Sequence, residues 1–234
     1  MLAELSASGL LVIPITGRPA GWCDMIARFW PVGGVVGENG AFYFRYDHEA
    51  RRMHRRFNIS DSERKAVRAR LERLAERIVK EVPGAAVASD QHYREADLAI
   101  DFREDVPPLG QDAVGKILAL FSEAGATAKA SSIHVNGWFG RWDKLSMTRT
   151  LLAEAYGIDI DAERERFVFC GDSPNDEPMF RFFPFACGVA NIVDHVDALS
   201  ARPAFVAAGR GAEGFVEIAR RILDAREVGH GSQT

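Results

Sequence analysis

Short, continuous apolar runs that alternate with helical patterns constrain this chain most. "LLVIPIT" (residues 10–16) reads as a strand buried on both faces, "GGVVGENGAFYF" (33–44) as a second short buried strand with a glycine-rich exit, "RFVFCGD" (166–172) as a further buried strand, and "FACGVA" (185–190) and "AFVAA" (204–208) as strands. Between them, "GRPAGWCDMIARFW", "DKLSMTRTLLAEAYG", "NDEPMFRFF" and "GAEGFVEIARRILDA" carry apolar residues at helical spacing. Strands that alternate with helices imply a doubly wound parallel sheet, an α/β core. "MLAELSASG" reads as a short helix stopped by Gly9, too short to be stable unless it lies on such a sheet. "GHGSQT" at the end is expected to trail as a disordered tail.

The middle of the chain has a different texture. Ser60-Asp61-Ser62-Glu63 is a capping-box pattern. It opens a charged helix to about Val82, with Val67, Leu71, Leu74, Ile78 and Val79 as its apolar stripe and Pro83-Gly84 as its stop. "AAVAS" and "DLAIDF" follow as strands, "QDAVGKILALFSEAG" as an amphipathic helix and "AKASSIHVNGW" as a further strand. The expected organisation is an α+β insert over residues 43–140 within a core formed by residues 1–42 and 141–234. Ligands of a parallel sheet bind where its strands end. Three loops are therefore expected to meet: Thr16-Gly17-Arg18, Glu38-Asn39-Gly40 and Gly171 to Asp176. The helix that begins near Lys144 is expected beside them.

Composition narrows the function classes. The net charge of −4 and pI of about 5.9 exclude a global pull toward nucleic acid or an anionic membrane. No apolar run reaches the ~18 residues of a membrane span. Cys23, Cys170 and Cys187 form neither a disulfide framework nor a zinc pattern, which fits a reducing, cytoplasmic setting. Cys170 lies in an apolar run and reads as a small core hydrophobe. The basic run "RRMHRRF" (51–57) reads as a solvated patch, or as an anion-attracting rim. Nothing in the pattern sets an oligomeric state.

Asp172 stands at a strand tip and Asp176 four residues on, a spacing that brings side chains to one side of a helical turn. Two close carboxylates need a shared cation or proton. Hard oxygen ligands suit Mg²⁺, which takes one or two carboxylates together with water and a phosphate oxygen. Alternatively, the pair caps a helix N-terminus. Thr16-Gly17 offers a hydroxyl and a backbone N–H for a phosphate cradle. Lys144 offers a mobile point charge suited to a phosphoryl group.

As a set, these residues resemble the haloacid dehalogenase superfamily of phosphatases. "VIPITGRP" resembles its second motif, Lys144 its third and "FCGDSPND" its fourth. "GENGA" is similar to the branch whose α/β cap is inserted after the third core strand. That branch includes sugar-phosphate phosphatases, and phosphomutases share its core motifs. The resemblance implies hydrolysis of a phosphate monoester on a small phosphorylated metabolite, through an aspartyl-phosphate. It implies that Asp172 holds Mg²⁺, with Asp176 as a further ligand or a supporting partner. It implies that Thr16, Gly17 and Lys144 grip the phosphoryl group. Arg18, Asn39, Gly40, His134, Asn136 and Asn175 are the expected substrate contacts, although His134 also reads as a half-buried strand residue.

One motif of the family has no counterpart. Its Asp-x-Asp-Gly-[Thr/Ser] element ends the first core strand and supplies the nucleophile and the acid/base. Here no Asp precedes Thr16, and neither "FREDVPPLG" nor "DSPND" follows a strand in the right place. The expectation is an N-terminally shortened sequence that lacks the first core strand and is inactive as it stands. A non-catalytic phosphate- and metal-binding descendant, a phosphomutase and a receiver-like module are the competing readings. The large insert and "GENGA" argue against the last.

Overall fold

The computed structural model describes residues 1–231. In chain order its elements are α1 (Leu2–Ala7), α2 (Ala20–Phe29), β1 (Val35–Gly37), β2 (Phe42–Asp47), β3 (Arg52–Phe57), α3 (Asp61–Glu81), β4 (Ala86–Val87), β5 (Leu98–Asp101) and α4 (Gln111–Glu123). They continue with β6 (Thr127–Ala130), β7 (His134–Trp138), α5 (Lys144–Tyr156), β8 (Val168–Gly171), α6 (Glu177–Phe182), β9 (Phe185–Gly188), β10 (Phe205–Val206) and α7 (Gly211–Gly231). The chain divides into two compact units, one of Pro14–Phe29 and Gly34–Leu151, the other of Met1–Ile13, Trp30–Gly33 and Leu152–Thr234.

The second of these contains the parallel sheet, ordered β10-β9-β8. Cys170 and Cys187 are register partners on neighbouring strands and pack against a cluster of Val189, Ala207 and Ile218. Burial pushes the Cys170 thiol up to about 12, as expected of a core thiol rather than a reactive one. Past the end of α1 stands Gly9, whose φ of +81° suits glycine, and the preceding Ser8 carbonyl accepts from Arg226 Nη2 of α7 at 3.0 Å. α7 runs on to Gly231, so the tail expected at 229–234 is helical as far as Gly231. Residues 232–234 lie outside the described residues.

The other unit holds two antiparallel sheets. In the first, ordered β1-β2-β3, Phe42, Phe44 and Phe57 form an aromatic cluster and α2 packs on it through Cys23, Ile26 and Ala27. The basic run proves to be β3, an edge strand whose Arg52, Arg55 and Arg56 are exposed. In the second, ordered β4-β5-β7-β6, one face is covered by α3 and α4. Leu71, Leu74, Ile78, Ile100, Ile117, Phe121 and Val135 form its core. The capping box at α3 is present: Ser60 Oγ accepts from the Glu63 N–H, and Glu63 Oε2 accepts from the Ser60 N–H. Val79, expected in the apolar stripe, is exposed instead. "AKASSIHVNGW" folds as a hairpin of two strands, β6 and β7, rather than one.

"LLVIPIT" departs from expectation. It is half-buried and makes a single parallel bridge, Ile15 with Val36, in place of a strand buried on both faces. Val36 N–H donates to the Pro14 carbonyl and Thr16 N–H to the Val36 carbonyl, each at 2.9 Å. Pro14 has no N–H to give, which removes a ladder bond from the middle of the run. In "GGVVGENGAFYF" the buried strand is β1, which leaves through a turn at Glu38–Gly40, and the rest of the run is a second strand, β2, that folds back antiparallel.

Candidate functional site

In the unit that contains the insert, two of the expected loops meet. Asn39 N–H donates to the Thr16 carbonyl at 3.1 Å and Glu38 N–H to the Arg18 carbonyl at 3.2 Å. Thr16 Oγ1 accepts from the Arg18 N–H at 3.0 Å, which curls the chain just past the bridge. The facing turn is strained: Glu38 and Asn39 both have positive φ, 43° and 54°. Gly40 continues it at φ +101°, where a Cβ would lie 2.0 Å from the Asp143 carbonyl oxygen. That contact is open only to glycine. It brings the start of α5, and with it Lys144, against the turn. Asp143 Oδ1 accepts from the Ser146 N–H at 2.7 Å and caps this helix start.

The Asn39 amide lies over Gly17, and a Cβ on Gly17 would be 3.1 Å from both Nδ2 and Oδ1. Asn39 is buried, yet its Nδ2 has no hydrogen-bond partner. A buried donor left unpaired costs free energy, so it marks a position where a ligand acceptor belongs.

Beneath this loop pair runs a buried polar network that joins the loops to the insert. Glu38 is 0 % exposed. Its Oε1 accepts from the N–H groups of Ala20 at 3.0 Å and Glu95 at 2.9 Å, and its Oε2 from those of Ala96 at 2.6 Å and Asp97 at 3.2 Å. Burial first, then Asp97, push its carboxyl up to about 8 against the opposing pull of Arg94 and these N–H donors. Arg94 Nη1 donates to the Gly17 carbonyl at 2.9 Å and to Asp97 Oδ1 at 2.9 Å. Its Nε and Nη2 reach Asp90 Oδ1 at 3.3 and 3.2 Å. Burial opposes the Arg94 charge, and Asp97 and Asp90 outweigh it. Asn136 Nδ2 donates to Asp97 Oδ2 at 2.9 Å. The expected substrate contact Asn136 is thus held inside this network.

Arg18 reaches the insert as well. Its Nη2 lies 2.8 Å from Glu104 Oε1 and its Nη1 3.5 Å from Asp90 Oδ2, with the guanidinium 5.0 Å from the Trp22 ring. The hydrogen bond to Glu104 raises its pKa although burial opposes it. His134 stands opposite Asp101 on the neighbouring strand. It is 3 % exposed, more deeply buried than a strand residue read as half-buried. Its Nε2 lies 3.0 Å from Glu104 Oε2 but off the hydrogen-bonding direction, so it has no hydrogen-bond partner. Burial, then Arg94, hold its pKa below the usual value, and Glu104 opposes them.

In the other unit, Asp172 follows β8 directly. Asp176 is buried and turns inward: its Oδ2 accepts from the Asp172 N–H at 3.0 Å and the Ser173 N–H at 3.4 Å. Asn175 Oδ1 accepts from the Ser173 hydroxyl at 2.5 Å. Gly171 is required here, because a Cβ would fall 2.7 Å from Asp176 Oδ2. One oxygen of Asp176 therefore shapes the loop that presents Asp172. Among the described residues, no group of three or more His, Cys, Asp and Glu side chains gathers as a metal site. A hard, oxygen-only pair at a strand tip nevertheless suits Mg²⁺, whose remaining ligands are waters and a phosphate oxygen.

Glu38 is legible in the sequence only as part of a loop, and no motif marks Asp90, Arg94, Asp97 or Glu104. Their local signals, the Asp90–Arg94 spacing of four and the Arg94–Asp97 spacing of three, are common on any polar surface.

No family model matches the chain, and no curated protein matches it. Solved structures do. A Thermoplasma acidophilum protein superposes with a TM-score of 0.66 at 20% identity, covering 94% of this chain and 86% of its own. Sucrose-phosphatase from Synechocystis, solved with sucrose and phosphate, gives 0.63 at 14% identity, covering 94% and 88%. A haloacid dehalogenase-like hydrolase from B. subtilis gives 0.61 at 13% identity, covering 94% and 90%. The chain has the haloacid dehalogenase-like fold. The parallel sheet β10-β9-β8 is consistent with the α/β core of that fold.

Proposed function

We propose that this haloacid dehalogenase-like chain binds the phosphate of a small phosphorylated metabolite, a sugar phosphate or similar, for Mg²⁺-dependent hydrolysis of the ester. The observation that carries the reading is the buried, unpartnered Asn39 Nδ2 over Gly17, beside the start of α5. A phosphoryl oxygen supplies the acceptor that Asn39 lacks, and Thr16 and Lys144 contribute a hydroxyl and a positive charge. Asp172 would hold the Mg²⁺ that such hydrolysis uses. Asp176 holds the Asp172 backbone through its N–H. Residues 43–140 act as the cap that selects the rest of the substrate. The free thiols support a cytoplasmic setting, and no helix among the described residues is long and apolar enough to cross a membrane.

No aspartate precedes Thr16, so the family's attacking carboxylate has no counterpart at its place in this sequence. The reading therefore gives residues 1–234 binding without turnover, and hydrolysis once that carboxylate is supplied. Calorimetry tests the two parts separately. Wild type is expected to take up Mg²⁺ and Asp172→Ala to lose it. Wild type is expected to bind inorganic phosphate and Lys144→Ala to bind it about tenfold more weakly. A blank Mg²⁺ titration of wild type, or an unchanged phosphate affinity in Lys144→Ala, would overturn the assignment. Turnover of p-nitrophenyl phosphate by residues 1–234 would overturn the claim that the nucleophile is missing.

A further inference from the structure

We infer that Arg18, Glu104, Asp90 and His134 form a leaving-group subsite that accepts a neutral polyhydroxylated group and rejects a carboxylate. The inference rests on the phosphate reading above and names what stands on the other side of the ester.

The charges decide it. Arg18 joins directly onto the Thr16–Gly17 turn, so whatever it touches is the part of a ligand next to the phosphate. A lone arginine there would suit a carboxylate, by fork-to-fork pairing. This arginine is already taken: Glu104 meets it almost bidentately, with Nη2 to Oε1 at 2.8 Å and Nη1 to Oε2 at 3.3 Å, and Asp90 closes from the other side. A second carboxylate would displace Glu104 or lie against it, and like charges placed together at a binding surface are a device for exclusion. Asp101, across the strand pair from His134, adds a further negative charge, its carboxylate held by the N–H groups of Arg103, Glu104 and Asp105. His134 is buried and brings a ring nitrogen without a hydrogen-bond partner to the same Glu104.

What remains is a ring of donors alternating with acceptors. Arg18 donates, Glu104 and Asp90 accept, and His134 Nε2 can take either role with its tautomer. A hydroxyl both donates and accepts, so adjacent hydroxyls of a polyol can bridge Arg18 to Glu104 without disturbing their pairing. The Arg18 guanidinium lies over the Trp22 ring, 5.0 Å from its centroid, so this indole is a spectroscopic reporter of whatever engages Arg18.

Sorbitol 6-phosphate and 6-phosphogluconate isolate the question, since they differ only by a terminal CH₂OH against a carboxylate. Binding to the full chain is read by calorimetry and by the tryptophan fluorescence change that Trp22→Phe abolishes. Sorbitol 6-phosphate is expected to bind at least about tenfold more tightly. Glu104→Gln removes the repelling charge and is expected to bring the two within about threefold, chiefly by strengthening 6-phosphogluconate. Equal affinities in wild type, or an unchanged ratio in Glu104→Gln, would overturn the inference, as would silence toward both esters and both free polyols. Free sorbitol and gluconate at millimolar concentration read the subsite without phosphate. A fluorescence response to sorbitol alone, with none to inorganic phosphate, would uphold the subsite and sink the phosphate reading.

Discussion

Glu38→Gln changes one atom of one side chain, and the structure assigns it a large cost. The two carboxylate oxygens of Glu38 serve four backbone donors, two apiece, at 2.6–3.2 Å. Both oxygens can accept whether or not the group carries a proton, whereas an amide nitrogen cannot accept at all. In either orientation glutamine therefore leaves two buried N–H groups facing an NH₂. At ~1–3 kcal/mol for each buried donor left unpaired, the loss is ~2–6 kcal/mol. A domain is stable by only ~5–15 kcal/mol, so the change is a substantial fraction of the whole. Urea unfolding followed by both circular dichroism and fluorescence reads it. With a slope of ~1–3 kcal/mol/M the midpoint is expected to fall by roughly 1–3 M. The pH dependence has a definite sign. The folded pKa, about 8, lies above the usual 4.5. Its contribution is full below about 4.5 and is lost as pH rises through about 8, so the gap between wild type and Glu38→Gln should narrow over that span. A variant whose midpoint stays within ~0.3 M of wild type at pH 6 would refute the account. The Ala20, Glu95, Ala96 and Asp97 N–H groups would then have other acceptors, and the insert would not be tied to the Thr16–Gly17 loop through this carboxyl.

Two further outcomes follow from the same geometry. Gly17→Ala places a methyl 3.1 Å from the Asn39 amide with no backbone strain at that φ; stability is expected to change by less than ~1 kcal/mol while inorganic phosphate binds about tenfold more weakly, and calorimetry showing full affinity would remove Asn39 from the cradle. His134 has a folded pKa depressed by burial below the usual 6.5, so its contribution is full above pH 6.5 and is lost as pH falls below it and the unfolded chain takes up the proton first. His134→Gln should flatten the stability profile between pH 7 and 5, and an unchanged slope in urea midpoints would count against its burial as a neutral ring.

What could be read from the sequence follows the range of the interactions involved. The α3 capping box is complete within four residues, and its hydrogen bonds are present as the letters suggest. The meeting of Thr16–Gly17 with Glu38–Asn39 was also legible, because the end of a parallel strand pairing fixes where adjacent loops emerge. "LLVIPIT" departs from its reading because an apolar run reports burial preference, while a ladder needs partners and donors along its length; Pro14 withholds one, and the run bridges at Ile15 with one further backbone bond, from the Gly33 N–H to the Val12 carbonyl. The polar network was illegible for a related reason. Glu38 lies 57 to 59 residues from the N–H groups it serves in the insert, and Arg18 lies 86 from Glu104. A charged residue in a glycine-rich turn looks solvated until the segment that buries it is known. Since a buried, unpaired carboxylate would be prohibitive, the donors at 95–97 and the acid at 38 have meaning only together. The strained turn at Glu38 and Asn39 is therefore held from the insert side, and a change at 95–97 should be felt at the Asn39 amide as directly as a change at Gly17.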